Sequence, residues 1–174
     1  MNIAVISYSF TGNNEALAAG VAKALNAEHI KIAEPKTRTY GTIMADILFG
    51  RTPKVLPEPE IIDKYEGVVF VAPVWMEMPA FPLRAYLKHL RKSPKKFGFV
   101  SISGGSIKPN PKLRGNIEKM AGNAPAAYLD MHIVDLLPKD VKIEPKSVMN
   151  YKLTASDLDL LTAKAKEEIL RYFG

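Results

Sequence analysis

The chain has 174 residues, 47% of them apolar, with 13 Pro and 11 Gly, which suits one folded domain spanning 1–174 and excludes a disordered or low-complexity class. There is no cysteine, so disulfides, thiolate nucleophiles and cysteine-held iron–sulfur clusters are excluded, and His29, His89 and His132 are too dispersed for a local metal motif. The formal net charge is +6, and no Asp or Glu occurs from Met78 through Ile117, where Arg84, Lys88, Arg91, Lys92, Lys95, Lys96, Lys108, Lys112 and Arg114 all fall. That stretch is either a solvated basic surface or an attractor for an anionic partner.

Met1-Asn2 leads straight into an apolar strand over 2–7, and no apolar run approaches the ~20 residues of a membrane span, so the expectation is a cytoplasmic protein with no membrane partner. Between this strand and a helix over 14–26, carrying Leu17, Val21, Ala24 and Leu25, stands Ser7-Tyr8-Ser9-Phe10-Thr11-Gly12-Asn13-Asn14-Glu15. Only small and polar residues make the turn itself. Free N–H groups of the helix, hydroxyls of Ser9 and Thr11, a close approach at Gly12 and the amides of Asn13 and Asn14, as donors or as a helix cap, would together hold a phosphate dianion without a Lys or Arg. The same residues also make an ordinary strand-to-helix turn. The loop has no G-x-G-x-x-G and no Gly-Lys-Ser/Thr ending, which disfavours a dinucleotide fold or a nucleotide P-loop.

A second strand is expected from Glu28 to Ala33, followed by a long connection over 35–60 in which Ile43, Met44, Ile47 and Leu48 share a helical face and Gly50 ends it. Pro53, Pro57 and Pro59 make the rest extended. Gly67 to Ala72 reads as a central buried strand, leading into Pro73-Val74-Trp75-Met76-Glu77-Met78-Pro79 and a helix with Leu83, Tyr86, Leu87 and Leu90 inward. Phe97 to Ile102 is a fourth strand, with Ser103-Gly104-Gly105-Ser106 directly after it. Asn110-Pro111 would start a helix with Leu113, Ile117 and Met120; a fifth strand lies within 126–136; Thr154 or Ser156 caps a last helix with Leu158, Leu161, Ala165, Ile169 and Tyr172 inward. Strands alternating with helices predict an α/β, three-layer, doubly wound five-stranded parallel sheet, for which the order 2-1-3-4-5 is expected.

Ser9-Phe10-Thr11-Gly12-Asn13-Asn14 resembles the phosphate loop of the flavodoxin family, Ser/Thr-x-Thr-Gly-Asn-Thr, with Asn in the final Thr position; Ala72-Pro73-Val74-Trp75, Met78-Pro79 and Leu83-Arg84-Ala85-Tyr86-Leu87 are similar to the family's pattern after strand 3. The resemblance covers nearly the whole chain. It implies FMN as cofactor, with Ser9, Phe10, Thr11, Gly12, Asn13 and Asn14 at the phosphate, Pro73, Val74, Trp75, Met76 and Glu77 flanking the isoalloxazine, and Ser103, Gly104 and Gly105 at its pyrimidine edge. Trp75 offers a ring face for stacking, or a core anchor, and the glycines let N–H groups approach flavin carbonyls. Tyr8 fits a place near the cofactor or in the core.

Two features depart from the family. Met76-Glu77 replaces the Gly common beside flavin N5 and restricts the peptide rotation that would present a carbonyl to it, while Glu77 faces either the ring or water. The chain is basic, whereas electron-carrier flavodoxins are usually acidic, so its partner should differ. The expectation is a flavoprotein moving electrons or hydride to a redox partner or anionic small molecule near 84–114, as a reductase of NAD(P)H or quinone type or as an electron carrier. No side chain stands out as a catalytic acid or base. The alternative is a binding module of the same fold that uses no flavin; specific nucleic-acid binding has no motif behind it, and a homodimer is compatible with the chain.

Overall fold

Side chains alternate faces along β1 (Ile3–Ser7), so Ala4 and Ile6 enter one core and Val5 the other, all fully buried. The structure, a computed structural model, describes residues 1–35, 39, 41, 44–45, 49–104, 109–138 and 145–174. In chain order β1 is followed by α1 (Asn13–Leu25), β2 (Glu28–Lys31), a 3-10 helix over Pro59–Lys64, β3 (Gly67–Val71), β4 (Val74–Trp75), β5 (Met78–Pro79), α2 (Leu83–Lys92), β6 (Lys96–Ser103), α3 (Leu113–Ala121), β7 (Ala127–His132), a 3-10 turn over Ile133–Leu136, α4 (Pro145–Asn150) and α5 (Ala155–Phe173).

Five strands form one parallel sheet in the order β2-β1-β3-β6-β7, which is the 2-1-3-4-5 order counted over sheet strands. One face carries Phe70, Phe97 and Phe99 against Leu83, Tyr86, Leu87 and Leu90 of α2 and Leu113 and Ile117 of α3. The other carries Val69, Val71, Val100 and Ile102 against Leu17 and Val21 of α1 and Leu161, Ala165 and Ile169 of α5. β1 and β3 run in register from Ile3↔Gly67 to Ser7↔Val71, so their C-terminal ends, and the loops after them, lie side by side.

Several local expectations are corrected. In α1 the buried face is Leu17, Ala18, Val21 and Ala22, with Ala24 only half-buried. In α5 the i+4 series from Leu161 through Ala165 and Ile169 continues to Phe173, leaving Tyr172 42% exposed. Asn110 does not cap α3, because its Nδ2 donates to Asp130 Oδ2 at 2.9 Å and the helix begins at Leu113. Thr154 does cap α5: its hydroxyl accepts from Asp157 N while the Asp157 carboxylate accepts from Thr154 N. Of the helical face expected in the connection, Ile43, Ile47 and Leu48 lie outside the described residues and Met44 is exposed. The end of that connection is only partly extended: Leu56 pairs with Ala33 in an antiparallel bridge beyond β2, and Pro59 opens a 3-10 helix.

Candidate functional site

The loops after β1, β3 and β6 converge on a cleft with an empty volume of ≈ 680 Å³ out to its open mouth. Phe10, Thr11, Asn13 and Asn14 line it from the first loop, Pro73, Val74 and Trp75 from the second, and Ser103 and Gly104 from the third, with Ile102, Ile133 and Met149 completing it. None of these side chains ionises. Ser9, Gly12, Met76 and Glu77 do not line the cleft, and Gly105 lies outside the described residues.

The first loop is built by its small residues. Gly12 sits at φ +96° as the N-cap of α1, a conformation that costs an L side chain strain, and its N–H donates to Ser9 Oγ at 3.0 Å. No side chain caps this helix end. The first intrahelical bond is Ala16 N to Gly12 O, so the N–H groups of Asn13, Asn14 and Glu15 have no helical acceptor. The site therefore presents main-chain donors at the positive end of a helix dipole.

The amides of Asn13 and Asn14 are used differently from the sequence expectation. Asn14, 2% exposed, donates from Nδ2 to Ile102 O at 2.9 Å and accepts from Ile102 N at 3.1 Å. β3 leaves the sheet after its last pairing with β6, Val71↔Val100 and Ala72 N to Val100 O, and the Asn14 amide continues the ladder one step further. Asn13 likewise binds Tyr151 O at 2.8 Å and Leu153 N at 3.2 Å. Both side chains hold the loop in place and leave the main-chain N–H groups as its donors.

The second loop is a two-residue hairpin, β4–β5, that the sequence pattern did not reveal. Met76 and Glu77 form its turn with φ +51° and +60°, the left-handed pair of a type I′ turn that normally takes Asn-Gly. Asn116 Nδ2 holds the Glu77 carbonyl at 2.9 Å, and the Glu77 carboxylate lies 3.7 Å from Lys112 Nζ rather than in the cleft. Met76 is 71% exposed at the tip. Trp75 is half-buried, with Tyr8, Phe10 and Phe81 all packed perpendicular to its ring at centroid distances of 5.9–6.3 Å. Tyr8 itself belongs to the core.

At the third loop Ser103 is 4% exposed, and its hydroxyl has no hydrogen-bond partner among the described residues although it borders the cleft. A buried hydroxyl left unmade is costly, and a polar ligand in the cleft would satisfy it. Beside it on the strand, Ser101 Oγ donates to Asp130 Oδ1 at 2.7 Å, and Asp130 Oδ2 lies 3.4 Å from His132 Nε2. Burial, with the Asp130 charge adding to it and Arg114 opposing, pushes the neighbouring Tyr128 hydroxyl up to about 12, so it stays protonated.

Ile133, Met149 and the segment that anchors Asn13 were missed in the sequence. They belong to the 3-10 turn after β7 and to α4 and its continuation, where no motif or periodicity points back across the chain to the first loop.

Crystal structures of similar fold include a flavoprotein in complex with FMN from Lactobacillus acidophilus (TM-score 0.58, 14% identity, 78% of this chain and 95% of that one). Oxidised flavodoxin 1 from Bacillus cereus matches over 100% of both chains, with TM-score 0.56 and 15% identity. A flavodoxin from the domain Archaea also matches over 100% of both, with TM-score 0.57 and 11% identity. The fold is flavodoxin-like. No protein-family model and no curated protein matches the sequence. In the flavodoxin-like frame the cleft stands outside the C-terminal ends of β1 and β3, where the strand order reverses, the place at which open α/β sheets bind their ligands. No helix among the described residues is long and apolar enough to cross a membrane.

Proposed function

We propose that the protein binds FMN in this cleft and works as a redox protein. The observation that carries the reading is the cleft's chemistry: a wall of aromatic and apolar side chains, an uncapped helix end and a buried Ser103 hydroxyl without a partner among the described residues, with no ionisable group among the described lining residues. These residues fit a ligand with one anionic end, one flat ring and a polar edge. A structural counterpart with FMN bound supports the same choice.

The N–H groups of Asn13, Asn14 and Glu15 and the Thr11 hydroxyl would hold the phosphate, Phe10 and Trp75 with Pro73 and Val74 the ring, and Ser103 Oγ its polar edge. Bound flavin supplies the electron or hydride transfer, which the chain's own cleft residues cannot. Their contribution is to orient the ring and to keep water from one side of it, and Ser103 donates to an acceptor there. The held Glu77 carbonyl and the left-handed Met76-Glu77 turn fix the hairpin beside the ring. The partner is an anionic small molecule or an acidic protein drawn by the cations of 84–114, of which Lys92 is exposed. In this reading the protein works in the cytoplasm.

Reconstitution with FMN followed by ultrafiltration tests it. The expected result is about one flavin retained per chain, whose visible band bleaches with a reductant of NAD(P)H or quinol type. No retention after reconstitution overturns the reading in favour of a flavin-free binding module.

A further inference from the structure

The cradle at the start of α1 is neutral in its own sequence, yet a cation stands against it. Lys152 Nζ donates to the Thr11 carbonyl, the residue before the Gly12 cap. Lys152 follows α4, and its main chain is fixed on both sides by one side chain: Asn13 binds Tyr151 O and Leu153 N. Further along, the Tyr151 hydroxyl donates to Asp157 at 2.8 Å inside the capping box of α5. The lysine stem thus starts from a rigid point beside the first turn of α1.

The sign of this charge is wrong for the helix end it lies beside. An ammonium near a helix N-terminus is repelled by the dipole, which favours anions there. Its acceptor is a neutral carbonyl, and no carboxylate pairs with Lys152 among the described residues; Glu15, in the same helix turn, is taken by Lys31 at 2.5 Å. A second, independent feature calls for a ligand in the cleft that Thr11, Asn13 and Asn14 line: the Ser103 hydroxyl, buried and without a partner among the described residues. An anion at the cradle would resolve the charge conflict, and the Lys152 side chain is exposed, long and free to rotate, so its ammonium could exchange Thr11 O for that anion.

We infer that Lys152 is the cation of the phosphate site and makes the cleft select a flavin carrying a 5′-phosphate over one that lacks it. The inference rests on the FMN reading and adds to it a residue far outside the loop. It is tested by titrating wild type, Lys152→Met and Lys152→Arg with FMN and with riboflavin at low and high salt. Lys152→Met should weaken FMN binding about tenfold, leave riboflavin unchanged and flatten the salt dependence of FMN binding, while Lys152→Arg keeps FMN affinity within about twofold. An equal loss for both flavins, no loss for FMN, or an unchanged salt slope in Lys152→Met overturns the role of Lys152. Wild type that binds neither flavin overturns the FMN reading itself, and the inference with it.

Discussion

Asn14 shows how one residue ties the cradle to the sheet. Its amide satisfies both the N–H and the carbonyl of Ile102, where β3 has already turned away, so Asn14→Ala leaves two buried main-chain groups unmade. The expected cost is about 2–4 kcal/mol of stability in a urea titration. In the sequence Asn14 reads as a donor to a ligand or a helix cap, because nothing local announces that Ile102, on another strand, needs it. The Met76-Glu77 turn carries the opposite signature, two L residues at φ +51° and +60°. Met76→Asn with Glu77→Gly is expected to raise stability by about 1 kcal/mol, read as a higher urea midpoint. His29, on the edge strand, is pushed down by burial and by Lys31, against an opposing pull from Glu15, and its Nε2 lies 2.8 Å from Ser7 Oγ. With its folded value below the unfolded ~6.5, the unfolded chain takes up the proton first as pH falls. Its contribution is complete above ~6.5 and is lost as pH drops from there through the folded value, so urea midpoints measured on either side should fall less in His29→Asn.

Among elements, the five sheet strands and the helices α1, α2 and α5 were legible, because continuous apolar runs such as Gly67–Val71 and four-residue spacings such as Leu83–Leu87 are local signals. The β4–β5 hairpin was not, since it has neither Gly nor Asn at its turn, and α4 was not, since what it does depends on contacts with the first loop. Gly104 records that packing: a Cβ there would lie 2.8 Å from Val148 O and 3.2 Å from Ile133 Cδ1. A main-chain oxygen cannot rotate aside. Gly104→Ala is therefore expected to cost about 1–3 kcal/mol and to displace α4 from the cleft mouth, lowering flavin affinity in the same titration that reads Lys152.

For the whole molecule, the strand order and the convergence of three loops at its reversal follow from the alternation of strands and helices, so the cleft's place was legible even though several of its residues were not. The basic stretch is more divided than its sequence suggests. Lys95, 12% exposed, closes the 3-10 helix by donating to Ile62 O and Tyr65 O, and the Arg84 guanidinium lies 3.8 Å over the Phe81 ring. The charge left for a partner is thus smaller than the count, and electron transfer to an anionic partner is expected to slow with ionic strength, but modestly. Trp75 supplies the most direct test of the account, because it is the single tryptophan of the chain and lines the cleft. Its emission should fall saturably as FMN is added, reaching its end point at about one flavin per chain. Flavin retained by the protein with Trp75 emission unchanged would contradict the placement of the cofactor in this cleft.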